Sequence, residues 1–405
     1  MLKHTFHHLY LPLLLVLLIS SKTLYGKTID INPITKHGEN TDLLFINVRS
    51  ADKSVMSLAQ RAFNSHGGYR LAKGNEAQLS FNFTKIASGI ELKILSGSGS
   101  STKHTERFSG ENWITALYKA CDKAVLLTSR VPGFFSGKIV CIGEKTGKRE
   151  VFSTDLFFQK VRQLTNHGSI SRNPRWAPNG KMVLYTSYYR TGFPDIFQMD
   201  LAKSKRSVFA TFKGTNTGAT YNRKGNKVAM ILSSSGNPEL YISNNKGSNI
   251  QRITRNKSLE ASPKWSPDGS KIILTSDKLG KPQLYLIAPT ANAPLQRIPT
   301  NVSSYCAEPD WNTRNTNLIA FTVAIRKGFQ IAQYDFNSRT SKILTKVNGD
   351  ALEPKWLNDG RHILFTLRTK STRQLHVLDS ISGKTMPLHS SNFGQFSQAD
   401  FVYTN

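Results

Sequence analysis

The side chains able to do covalent or acid–base chemistry are present in this sequence but scattered. Ten histidines and three cysteines are spread over 405 residues. No Gly-x-Ser-x-Gly, His-Glu-x-x-His or Cys-x-x-Cys pattern gathers them. His362 and His376 fall on neighbouring predicted strands. Two imidazoles on one sheet are more often a surface or hydrogen-bonded pair than a metal site. Cys121, Cys141 and Cys306 each sit in apolar or strand-like sequence, which favours three buried thiols. A Cys121–Cys141 disulfide is the alternative that would staple two parts of the chain. Gly97-Ser98-Gly99 lacks the Gly-Lys and helix of a phosphate loop. No catalytic, cofactor or metal residue is therefore assigned, and binding is expected rather than catalysis. Glu308 and Glu353 occupy matching places before Pro-x-Trp, where a carboxylate either caps a backbone turn or faces a partner.

The elements that would position these residues form a repeat. NPRWAPNG (173–180), GATYNRKG (218–225), SPKWSPDG (262–269), EPDWNTRN (308–315), EPKWLNDG (353–360) and QADFVYTN (398–405) align. Their aromatics, Trp176, Tyr221, Trp265, Trp311, Trp356 and Phe401, are spaced by 45, 44, 46, 45 and 45 residues. Each unit reads as four short strands with a Gly turn after the first, as in Pro267-Asp268-Gly269. That is the length and pattern of a β-propeller blade. KIVCIG, EVFSTD and RQLT, within 138–165, supply the last three strands of a blade that lacks its first. Residues 398–405 supply a first strand with nothing after it, so the two fragments predict a sixth, composite blade that closes the ring. The anchoring aromatics are expected to pack between blades rather than to cage a ligand.

Residues 27–135 break the repeat. Strands over 41–48, 78–84 and 89–95 and amphipathic helices over 51–63 and 111–127 predict a small α/β domain. Before it, Lys3 and the apolar run Leu9–Ile19 read as an export leader ending near Gly26, too short to span a bilayer. The expected division is leader 1–26, α/β domain 27–135 and six-bladed β-propeller 136–405. Net charge is +28. No basic run interleaved with aromatics points to nucleic acid, and an exported basic protein is expected to be a monomer with weak adhesion to anionic surfaces, peripheral to membranes at most.

If the first strand of each blade lines the channel, the segments before it converge on one mouth. They bring Thr215 and Gly218, then Leu259, Glu260 and Ala261, then Tyr305, Glu308, Leu352, Glu353 and Phe396. Leu259, Tyr305, Leu352 and Phe396 look exposed, and the three acids stand out because 136–405 carries a net +21. An apolar centre with a charged rim suits protein docking. Reversing charge at Glu308 and Glu353 is expected to weaken binding and leave folding alone.

This layout resembles the TolB family, the periplasmic component of the Tol–Pal system of Gram-negative bacteria. The resemblance rests on SPKWSPDGSKIILTSDKLGKPQLYLI (262–287), the QRIT and QRIP strand endings, and LTSRVPGFFSGKIVCI (127–142). It implies a non-enzymatic scaffold without cofactors. Such a scaffold would bind a Pal-type peptidoglycan-associated lipoprotein at the propeller mouth. It would bind TolA-type inner-membrane protein through the N-terminal tail, here Lys27, Thr28, Ile29, Asp30 and Ile31. Outer-membrane invagination at division and outer-membrane integrity would follow. The alternatives are a periplasmic propeller enzyme and a propeller gate of the prolyl-oligopeptidase type.

Overall fold

The computed structural model describes residues 43–404 except 98, 100, 145, 146 and 327. The expected leader and the tail Lys27–Ile31 lie outside the described residues. Among the described residues no helix is long and apolar enough to cross a membrane.

The first region is a five-stranded sheet backed by two helices. Its strand order is Tyr69–Leu71, Leu44–Arg49, Leu79–Ile86, Gly89–Ser96, Thr102–Phe108. The first three strands run parallel, and the rest form antiparallel hairpins. Helix α1 (Lys53–Ser65) starts where Asp52 accepts the N–H groups of Ser54 and Val55 at 2.8 and 3.1 Å. It buries Val55, Leu58, Ala59, Ala62 and Phe63. Helix α2 (Trp113–Ser129) is capped by Asn112 and ended by Arg130 in the left-handed region. Two strands escape the sequence pattern. Tyr69–Leu71 is only three residues long, and Thr102–Phe108 is an edge strand with no buried residue, so neither shows apolar alternation.

Residues 138–402 form six four-stranded antiparallel sheets. The inner strands are Ser171–Trp176, Asn216–Tyr221, Glu260–Trp265, Cys306–Trp311, Asp350–Trp356 and Gln395–Val402, in blades one to six. The last pairs with Lys138–Glu144, so that the two ends of the propeller share one sheet. The ring therefore closes as the repeat predicts. Core clusters fill the gaps between neighbouring blades. Between blades five and six the core continues into the first region through Phe63, Phe134 and Phe135.

The six aromatic anchors are all at most 9% exposed. Trp265 Nε1 donates to the Thr220 carbonyl of the preceding blade at 3.2 Å. They pack as expected, between blades. Cys121, Cys141 and Cys306 are buried free thiols, so no disulfide links the first region to the propeller.

Candidate docking site in the propeller channel

Each inner strand contains a bulge three residues before its anchor. Asn173, Gly218, Ser262, Glu308, Glu353 and Gln398 all have φ between 51 and 66°. The strand register shifts there in every blade. A left-handed residue other than Gly costs about 1–2 kcal/mol, and contacts with the next blade offset it. Glu308 Oε2 accepts the Glu353 N–H at 3.0 Å, Glu353 Oε2 accepts the Gln398 N–H at 2.8 Å, and Gln398 Oε1 accepts the Asn173 N–H at 2.9 Å. Thr322 and Thr366 donate to the same two carboxylates. The bulges thus form a head-to-tail belt around half the ring. Glu308 and Glu353 therefore each cap the backbone of the next blade, and both also line the mouth. Charge reversal at either would break the belt, so the expectation that folding is untouched does not hold.

A second belt lies one residue before the anchors: Arg175, Thr220, Lys264, Asp310, Lys355 and Asp400. Asp310 bridges Lys264 and Lys355 at 3.4 and 3.3 Å, and Lys355 reaches Asp400 at 3.5 Å. The other oxygens of Asp310 and Asp400 accept the N–H groups of Trp356 and Trp176 at 2.9 and 2.8 Å. Three cations face two carboxylates. Burial, then repulsion from Arg175, pulls the Lys264 ammonium down to about 8. Burial opposes ionisation of Asp400, but Lys355, Lys264 and Arg175 overcome it and hold the carboxyl below its ordinary range.

Two cavities open on the mouth. One of about 470 Å³ is lined by Tyr305, Glu308, Leu352 and Glu353 among others. One of about 290 Å³ is lined by Thr215, Gly218, Leu259, Glu260 and Ala261. Asn173, Arg175, Ser262 and Lys264 belong to both, so nine of the ten mouth residues named from sequence gather on one continuous surface. Phe396 does not. It is fully buried against Phe152 and Phe158, because it sits opposite Gly143 inside the composite blade. Glu260 is 2% exposed and turned inward. It accepts from Asn256, Thr254 and Ser276. Burial, then the neighbouring Glu239, pushes its carboxyl up to about 7. Burial and Glu353 push Glu308 up to about 7 as well. The cations of the mouth, Arg149, Arg172, Arg175, Arg368 and Arg373, carried no sequence signal, because they sit at different positions in different blades.

The opposite end of the channel is lined by the anchors, with Lys264 and Lys355 at the waist common to both ends. The first region docks at this end. Asn358 donates to the Gly133 carbonyl at 2.8 Å. Asp122 is buried and accepts from Phe135 N, Ser136 N and Tyr403 Oη at 2.7, 3.0 and 3.1 Å. Burial raises its carboxyl to about 6 in spite of these bonds. A Cβ on Gly133 would lie 2.2 Å from Asp122 Oδ1, which is why glycine stands there. The buried group His66, Asp359 and His362 offers three donor atoms within 4.8 Å. Those atoms already serve one another and the backbone. His362 Nδ1 pairs with Asp359 at 2.5 Å, and Gly67 N donates to His362 Nε2 at 3.4 Å. His376 lies three rungs along the strand pair from His362, so the two histidines read from sequence do not meet.

A closed six-bladed β-propeller with an open, charged channel mouth, fused to a small α/β region, defines the architectural class of this protein. The family model for the TolB β-propeller domain matches residues 126–400, and the chain belongs to that family. It is 30% identical over 241 residues to a TolB homolog of Chlorobium chlorochromatii, covering 57% of this chain and 51% of that protein. It is 29% identical over 169 residues to the Tol-Pal system protein TolB of Bordetella pertussis, covering 42% of this chain and 38% of that protein. The chain thus aligns over about half, or less, of the curated relatives it matches. TolB from Acinetobacter baumannii has the same fold, with a TM-score of 0.76 at 19% identity over 90% of this chain and 97% of that one.

Proposed function

We propose that this chain is a periplasmic, non-enzymatic Tol–Pal scaffold whose channel mouth docks a Pal-type lipoprotein and whose N-terminal tail engages a TolA-type inner-membrane protein. The division into leader 1–26, α/β domain 27–135 and propeller 136–405 belongs to this reading, as does a role in outer-membrane invagination and integrity. The observation that carries it is the continuous mouth surface, on which Tyr305, Leu352 and Leu259 stand beside fixed cations on a rigid ring. Its belts are hydrogen-bonded before any partner arrives, so docking needs little ordering of the receptor. The family, and the name of the Bordetella relative, favour this partner class.

Calorimetry with the soluble domain of the organism's Pal-type lipoprotein tests it. Tyr305→Ala removes a half-buried ring that lies edge-on to Phe329 with centroids 5.4 Å apart. It should weaken binding by about 1 kcal/mol or more, the scale of an interface hot spot, with the melting temperature unchanged. Unaltered affinity with an intact fold would move the site elsewhere. Deletion of residues 27–31 should abolish capture of the TolA-type protein and spare the lipoprotein.

A further inference from the structure

In every blade the strands alternate direction, so the links between second and third strands, and those between one blade and the next, emerge together at the mouth end. These links, and the end of the strand Leu318–Ile325, carry large apolar side chains that are partly exposed. Phe193 and Leu279 are each 65% exposed, Phe212 is 43% and Ile325 is 40% exposed. Basic residues stand next to them in the same loops: Arg190 before Phe193, Lys213 after Phe212, Lys278 and Lys281 around Leu279, and Arg326 after Ile325. Leu259, 52% exposed, joins the Leu279 loop because Asp277 Oδ1 accepts its N–H at 2.7 Å. Asp277 is the sole acid in these loops among the described residues, and that bond occupies it. The first region docks at the opposite end through Asn358, Tyr403 and Lys384, so among the described residues it leaves these tips uncovered.

We infer that the mouth face of blades one to four docks on an anionic lipid bilayer, with the apolar loop tips entering the head-group layer and the neighbouring cations meeting lipid phosphates. A protein interface gathers its apolar side chains into a centre depleted of lysine. Here the tips sit on separate loops, interleaved with cations that make no ion pair among the described residues, the pattern of surfaces that lie on anionic membranes. The inference rests on residues other than those of the lipoprotein reading, save Leu259, because none of Phe193, Phe212, Leu279 or Ile325 lines either mouth cavity.

Co-sedimentation of the whole chain with vesicles tests it. The chain should pellet with phosphatidylglycerol mixed into phosphatidylcholine, not with phosphatidylcholine alone, and less as salt rises. F193S/F212S/L279S should lower vesicle affinity by at least about tenfold. K213Q/K278Q/K281Q should abolish the preference for phosphatidylglycerol. Both variants change exposed side chains only, and an unchanged melting temperature confirms that the fold is intact. No pelleting with anionic vesicles, or pelleting that neither variant alters, overturns the inference. So does a tip variant that loses the Pal-type domain while the parent chain ignores vesicles, since the tips would then be a protein interface.

Discussion

The two ends of the propeller channel are made by one repeat, yet one end carries the first region beside a cavity lined by the aromatic anchors, while the other opens on a charged mouth. At the first of these ends Asn358 donates to the Gly133 carbonyl, the core runs through Phe134 and Phe135, and Asp122 ties helix α2 to Tyr403. Trp176 Nε1 and Trp356 Nε1 are buried there without a hydrogen-bond partner among the described residues. At the open end, longer links project Phe193 and Leu279 into solvent, and Arg172 and Arg175 line a cavity of about 470 Å³. The difference teaches that the anchors and belts hold the ring, and the links at either end are free to specialise. Stability therefore concentrates at the closure and the end that carries the first region, and binding at the mouth.

Removing residues 398–405 should have the largest effect on this division. It strips the inner strand from Lys138–Glu144 and takes away the Asp400 carboxylate that accepts Trp176 N–H. The ring opens and presents an unpaired edge. Thermal unfolding by circular dichroism should lose its single cooperative transition. An unchanged melting temperature would mean that the closing strand is dispensable.

Asp122→Ala attacks the end that carries the first region. It leaves the Phe135 and Ser136 N–H groups and the Ser136 and Tyr403 hydroxyls without their acceptor, at a cost of about 2–4 kcal/mol in urea unfolding. Proteolysis between the first region and the propeller should accelerate while mouth binding persists. Equal loss of both would show that the two ends are coupled.

Glu308→Gln probes the belt at the mouth. The Glu308 carboxyl is raised to about 7, so the folded state prefers it protonated. Its stabilising contribution is complete below the ordinary carboxylate range and is lost as pH rises through 7. Gln keeps an acceptor for Glu353 N–H and cannot ionise. From pH 5 to 8 the parent should lose stability relative to Glu308→Gln by on the order of 1 kcal/mol. Parallel pH profiles would refute the assignment.

Phe193→Ser should be the smallest perturbation of folding, within about 0.5 kcal/mol in urea unfolding, because the residue is 65% exposed. A larger loss would place the tip in the core rather than on the docking face.

Much of this fold was legible in the residues. The anchors at Trp176, Trp265, Trp311 and Trp356 mark a repeat that local patterning preserves, and the orphan strands at 138–165 and 398–405 imply closure. Nine of the ten mouth residues were found because their place in the repeat fixes which end of a blade they occupy. Phe396 was misread because it looks like loop sequence and yet lies in the inner strand opposite Gly143. Glu260 was misread because its partners Asn256 and Ser276 come from a link and from the neighbouring strand Ile272–Ser276. The Tyr69–Leu71 and Thr102–Phe108 strands were missed because neither shows apolar alternation.

The sequence by itself determined the number of blades, the identity of their anchors and the way the ring closes. Each of these is a short-range pattern repeated at a fixed interval, and strand pairing within a blade follows from it. Only the tertiary structure decided what Glu308, Glu353 and Gln398 do, since their partners lie in the next blade, 45 residues or more away. It likewise decided that Asp122 binds Tyr403 across 281 residues. Such bonds exist because closure brings distant backbone N–H groups within reach of a buried acceptor, and nothing in the local sequence around a carboxylate records which N–H that will be.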